Sequence, residues 1–152
     1  MGKCPCTEFA QCFGALWWLS GERRVTESLG IVIVEDDVLI AMDLADLLIG
    51  GGHDVRAIAR TEFEAVAAAE KFRPDMMIVD GNLEDGSGVS AMREILARRF
   101  VRHFYVTGDP LQDQGLASDA IVVAKPFNLR ELAGGIARAR QMPETLPIAR
   151  NQ

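Results

Sequence analysis

The feature that most constrains this chain is a five-fold alternation between short apolar runs and longer segments with helical spacing. Ile31 to Val34 is a β-branched run that suits a strand buried on both faces. Ile40, Leu44, Leu47 and Leu48 follow at i, i+4, i+7 and i+8, which predicts a helix stopped by Gly50-Gly51-Gly52. Asp54 to Ala59 reads as a second strand. Thr61 and Glu64 form a capping box that opens a helix through about Lys71, and Arg73-Pro74 then breaks the chain. Met76 to Val79 is a third strand ending at Asp80, followed by a glycine-rich turn from Gly81 to Gly88. Val89, Met92 and Leu96 mark the apolar side of a third helix. His103 to Val106 is a fourth strand ending at Thr107-Gly108, and Pro110 to Gly115 has room only for a short helix. Ala120 to Ala124 is a fifth strand ending at Lys125-Pro126. Asn128 caps a last helix whose Leu129, Leu132, Ala133 and Ile136 share a face.

Repeated strand-then-helix units predict an α/β fold with right-handed crossovers and helices on both sheet faces. For five strands the expected solution is a flavodoxin-like doubly wound parallel sheet, order 2-1-3-4-5, with about five helices, the fourth short. The expected organisation is an N-terminal extension over 1–28, one domain over 29–141 and a C-terminal tail over 142–152. The extension holds both tryptophans, Trp17 and Trp18, and all three cysteines, Cys4, Cys6 and Cys12. It shows no clear period and reads equally as a docking arm, a disordered tail or translated upstream sequence. The short polar tail is not expected to fold alone, so no output domain is expected after the last helix.

Open α/β sheets place ligands at the carboxyl ends of their strands, near the point where strand order reverses. The polar residues of this chain stand at those ends: Glu35, Asp36 and Asp37 after the first strand, Asp80 after the third, Thr107 after the fourth and Lys125 after the fifth. Taken singly, each has a plain explanation. Asp36 and Asp37 suit a helix N-cap, Asp80 and Thr107 suit turns, and Lys125 before proline suits a loop. Converging on one crevice, the carboxylates repel one another unless a cation intervenes. A hard divalent ion with octahedral oxygen ligands, Mg2+, answers that need. Asp36 and Asp80 are the expected direct ligands, with Glu35 holding a metal-bound water and the backbone carbonyl of Asn82 completing the set. A carboxylate beside Mg2+ can act as a nucleophile toward phosphorus. Lys125, the Thr107 hydroxyl and the backbone amides of Gly81 and Asn82 would then neutralise the phosphoryl oxygens.

The runs IVIVEDD, IVD at Asp80, VTG at Thr107 and KPF at Lys125 resemble the receiver domain of bacterial two-component response regulators. The spacings fit as well, with 44 residues from Asp36 to Asp80, 27 onward to Thr107 and 18 to Lys125. The resemblance covers about residues 29 to 141. It implies phosphorylation of Asp80 by a sensor histidine kinase or histidine phosphotransfer protein, slow autodephosphorylation and a cis bond between Lys125 and Pro126. It also implies signalling through contacts with a downstream protein target. Three places depart from the usual receiver pattern. Glu84 stands where most receivers carry proline, Val122 stands where most have a Tyr or Phe switch, and the fourth helix is unusually short. With Phe104-Tyr105-Val106-Thr107-Gly108, these features are similar to the stand-alone FAT GUY regulators.

Two other functions compete. A non-phosphorylated interaction or dimerisation module would keep the fold and work through constitutive contacts, as Val122 suggests. A phosphohydrolase would need a general acid two residues after its nucleophile, and Asn82 there cannot serve. The net charge of −6 argues against a nucleic-acid partner, and Arg98, Arg99 and Arg102 read as a solvated helix end. Cys-x-Cys without further ligands does not make a metal site, so free cytosolic thiols are expected. No apolar run reaches membrane-spanning length, and Ala10 to Leu19 lacks the flanks of a signal peptide. Met1-Gly2 opens like an acylation signal, but Cys6 stands where Ser or Thr is wanted. A cytoplasmic location follows as the expectation. His53 and His103 read as surface or edge residues.

Overall fold

A computed structural model describes residues 27–109 and 115–144. Five parallel strands form one sheet in the order β2-β1-β3-β4-β5. They are β1 (Gly30–Val34), β2 (Asp54–Ala59), β3 (Met76–Asp80), β4 (Arg102–Thr107) and β5 (Val122–Ala124). Four helices are described: α1 (Val38–Gly50), α2 (Glu62–Phe72), α3 (Gly88–Arg98) and α4 (Leu129–Arg140). The expected sheet order is therefore found. The expected short helix after β4 falls mostly on residues 110–114, and the extension and tail mostly on 1–26 and 145–152, all outside the described residues.

The central strands are apolar on both faces because helices cover both. Val32, Val34, Met77, Val79 and Tyr105 point to one side, where they pack with Ala65 and Ala69 of α2 and Val89, Met92 and Ile95 of α3. Ile31, Ile33, Met76, Ile78, Phe104 and Val106 point to the other, with Leu44 and Leu48 of α1 and Leu132, Ile136 and Ala139 of α4. Successive side chains alternate faces, so one continuous apolar run feeds two cores. Each large apolar side chain buried this way contributes roughly 1.5–3 kcal/mol. Together the two cores fix the sheet and hold its strand ends in place.

The local signals act much as read, with informative differences. Thr61 caps α2 by accepting the Glu64 N–H, but Glu64 returns its carboxylate to the N–H of Arg60, not to that of Thr61. Asn128 and Glu131 form a complete reciprocal capping box on α4. The α4 face is rotated from the expected one: Leu129 and Ala133 are exposed, while Gly135 and Ala139 are buried. The reason is close packing. A Cβ at Gly135 would come within 2.9 Å of the Phe104 ring and 3.0 Å of Val123. The helix thus approaches the sheet on its smallest residues, which apolar spacing alone does not reveal. In α3 the buried stripe runs on from Val89 and Met92 to Ile95, with Leu96 only partly buried.

Candidate functional site

The acidic triplet after β1 divides its work. Asp37 is the N-cap of α1, its Oδ1 accepting the N–H groups of Leu39 at 2.9 Å and Ile40 at 3.2 Å. The capping expectation therefore holds for Asp37 and frees its two neighbours for the strand ends. Glu35 is buried and accepts the Asp37 N–H at 3.1 Å. Asp36 is half-buried. Asp80, the last residue of β3, is buried beside them. Carboxylate oxygens from Glu35, Asp36 and Asp80 lie within 4.8 Å of one another.

Lys125 reaches this cluster from just beyond β5. Its Nζ lies 2.7 Å from Glu35 Oε2 and 2.7 Å from Asp80 Oδ2. The Lys125–Pro126 bond is cis, as expected. Burial works against the Lys125 ammonium, but its bonds to Asp80 and Glu35 prevail and raise its pKa. Burial pushes the Glu35 carboxyl up, aided by the nearby Asp80 charge and opposed by Lys125. One ammonium therefore faces three carboxylates in a largely desolvated pocket, a charge imbalance that a cation would relieve. The donor set is all hard oxygen, and it fits Mg2+ by its chemistry.

The turn after β3 closes over the pocket. The Asn82 N–H donates to Asp80 Oδ1 at 2.9 Å, so each Asp80 oxygen has its own donor. The Glu84 N–H donates to Asp36 Oδ2 at 2.7 Å. Proline, the usual residue of the resembling family at this position, has no N–H and could not make this bond. Gly88 opens α3 directly against the strand end: a Cβ there would stand 1.8 Å from the Asp80 carbonyl oxygen. Glycine is needed here for the approach of α3 to β3.

Thr107 ends β4, buried, and its backbone carbonyl accepts the Lys125 N–H at 2.8 Å. Its hydroxyl donates to the Asp109 carbonyl at 3.0 Å and accepts the Asp109 N–H at 3.2 Å. It therefore bonds the backbone of its own loop in this state. The two histidines lie elsewhere. His53 Nδ1 accepts the Leu29 N–H, and His103 Nδ1 lies 3.0 Å from the Val101 carbonyl.

Sequence reasoning thus assembled Glu35, Asp36, Asp80, Asn82, Thr107 and Lys125 at one end of the sheet. It missed Glu62. That side chain accepts the Ser90 hydroxyl at 2.6 Å and the Ser87 N–H at 3.1 Å, which ties α2 to the turn beyond Asp80. No local pattern announces a contact between residues 25 positions apart.

Comparison with known proteins gives a consistent result. The response regulator receiver domain model matches residues 31–137. The chain is 38% identical over 115 residues to the phyllosphere-induced regulator PhyR of Methylorubrum extorquens, covering 72% of this chain and 42% of that one. It is 34% identical over 113 residues to the transcriptional regulatory protein PdtaR of Mycobacterium tuberculosis, covering 72% and 55%. The chain spans about half the length of these curated relatives. Its fold is similar to the solution structure of the Erythrobacter litoralis PhyR receiver domain, with a TM-score of 0.70 at 29% identity, covering 79% of this chain and 98% of that one. Among the described residues, no helix is long and apolar enough to cross a membrane.

Proposed function

Because this chain belongs to the response regulator receiver domain family, we propose that it is a phosphoacceptor signalling unit, over residues 29–141, that takes a phosphoryl group onto Asp80. The observation that carries this reading is the Lys125 ammonium set 2.7 Å from both Glu35 and Asp80, with Asp36 completing the acidic cluster. Mg2+ bound by Asp36 and Asp80, with Glu35 one shell out and the Asn82 carbonyl as a further ligand, would neutralise charge on the phosphoryl oxygens.

The chain's own residues do the rest. The Asn82 N–H and Lys125 Nζ hold one Asp80 oxygen each and orient the carboxylate. A carboxylate oxygen of Asp80 bonds to phosphorus as the bond from phosphorus to the donor's leaving group breaks. The leaving group, an imidazole or an acetate, keeps the electron pair. Lys125, kept protonated by its carboxylate partners, supplies positive charge to a phosphoryl oxygen. The Thr107 hydroxyl, bonded to Asp109 in the resting state, turns to a third oxygen and couples the site to the loop after β4. The donor is a sensor histidine kinase or histidine phosphotransfer protein, and the signal leaves through contacts with a downstream protein target, in the cytoplasm and without nucleic acid or membrane. Asn82 lacks the proton of a general acid, which favours a slowly dephosphorylating acceptor over a turnover enzyme.

One observation favours the constitutive interaction module instead: Val122 on β5 is 38% exposed where a buried-or-exposed aromatic switch would otherwise sit. Titration with acetyl phosphate or beryllofluoride in the presence of Mg2+ separates the two. The phosphoacceptor reading expects NMR shifts of the Asp80 and Thr107 amides that vanish in Asp80→Ala. A silent wild type, or an identical response in Asp80→Ala, would refute it. Partner affinity unchanged by beryllofluoride would establish the constitutive module.

A further inference from the structure

The turn between β3 and α3 is fastened at two points. At one, the Glu84 N–H seats Asp36 Oδ2 at 2.7 Å. At the other, the Glu62 carboxylate takes the Ser87 N–H on Oε2 and the Ser90 hydroxyl on Oε1. The Glu62 N–H also points to the Asp85 carbonyl, at 3.4 Å. Glu62 lies in the first turn of α2, so it connects a helix packed on the sheet to the turn beyond Asp80. Its hydrogen bonds with Ser90 and Ser87 lower its pKa. Gly86 makes the close passage possible. It adopts φ +90°, and a Cβ there would fall 2.6 Å from Glu62 Oε2 and 2.7 Å from Glu62 Cβ.

We propose that Glu62 is a positioning residue for the acidic pocket: by holding Ser87 and Ser90 it sets the turn so that the Glu84 N–H orients the Asp36 carboxylate toward the cation. The inference rests on the phosphoacceptor reading of that pocket. The Glu62 carboxylate bonds to Ser87 and Ser90, and it acts through the backbone of the turn. Fixing one Asp36 oxygen by an N–H removes rotational freedom from a half-buried side chain before the ion arrives, which is how outer partners raise the affinity of metal ligands.

The test compares wild type with Glu62→Gln and Ser90→Ala, using Asn128→Ala as a control because that side chain caps α4 through the Glu131 N–H instead. Two quantities are read on the whole chain: the Mg2+ dissociation constant by calorimetry, and hydrogen exchange of the Glu84 amide in metal-free protein. Glu62→Gln is expected to weaken Mg2+ binding roughly tenfold, the lower end of what outer partners cost. It is also expected to speed Glu84 exchange, and Ser90→Ala should do both to a smaller degree. Asn128→Ala should lower thermal stability while changing neither. In an Asp36→Asn background, Glu62→Gln should add no further loss of Mg2+ affinity. An unchanged Mg2+ affinity in Glu62→Gln and Ser90→Ala, with only a lower melting temperature, overturns the proposal and leaves the phosphoacceptor reading standing. Full additivity with Asp36→Asn overturns it too. A wild type that does not bind Mg2+ overturns both.

Discussion

Lys125→Met tests the electrostatic heart of the pocket. The substitution keeps most of the volume and the apolar stem but deletes the charge. Two hydrogen bonds of 2.7 Å disappear, to Glu35 Oε2 and Asp80 Oδ2. The lysine side chain is 16% exposed, and those of Glu35 and Asp80 are 1% and 9% exposed, so solvent can do little to replace the ammonium. Removing one partner of a buried ion pair costs about 3–5 kcal/mol, because the carboxylates left behind are desolvated and unpaired. Urea unfolding at neutral pH without divalent ions should show a loss of that size, with an unchanged dependence on denaturant. The triple change Lys125→Met, Glu35→Gln and Asp80→Asn removes the stranded charges as well and should recover much of the loss. A loss below about 1 kcal/mol, the range of solvent-exposed pairs, would show that water reaches the site. The account of a desolvated acidic pocket held by one lysine would then be wrong.

Other expectations can be checked with the same protein. Gly88→Ala should destabilise by about 1–3 kcal/mol through overpacking, and the amide shifts of Asp80 should move with it, since the added methyl group meets the Asp80 carbonyl. Asn128→Ala should cost about 1 kcal/mol through loss of the α4 cap, read as a lower urea midpoint with the Asp80 response to beryllofluoride intact. His103 has its pKa lowered, first by burial, with its bond to the Val101 carbonyl opposing. Its stabilising contribution is therefore complete above the unfolded value near 6.5 and is lost as pH falls through the lower folded value. Between pH 7.5 and 5, His103→Gln should lose less stability than wild type, and equal losses would exclude His103 as a contributor.

The layout of the sheet was legible in the chain because each element carries its own local signal. Buried parallel strands are continuous apolar runs, and the helix starts at Thr61 and Asn128 advertise themselves by short-range hydrogen bonding. The pocket was legible for a second reason: the fold rule sends functional groups to the carboxyl ends of strands, so Asp80, Thr107 and Lys125 could be brought together from their positions alone. Other facts were set by tertiary packing. Which of three consecutive acids caps α1 and which face the pocket depends on how the helix leaves the strand, and Asp37 alone takes the cap. Which face of α4 is buried depends on how closely Gly135 approaches Phe104. The bonds from Glu62 to Ser87 and Ser90, and from Glu84 to Asp36, join residues 25 to 48 positions apart. A backbone N–H is the same in every residue but proline, so its partner is chosen by where the chain runs in space, and no side-chain pattern encodes that choice.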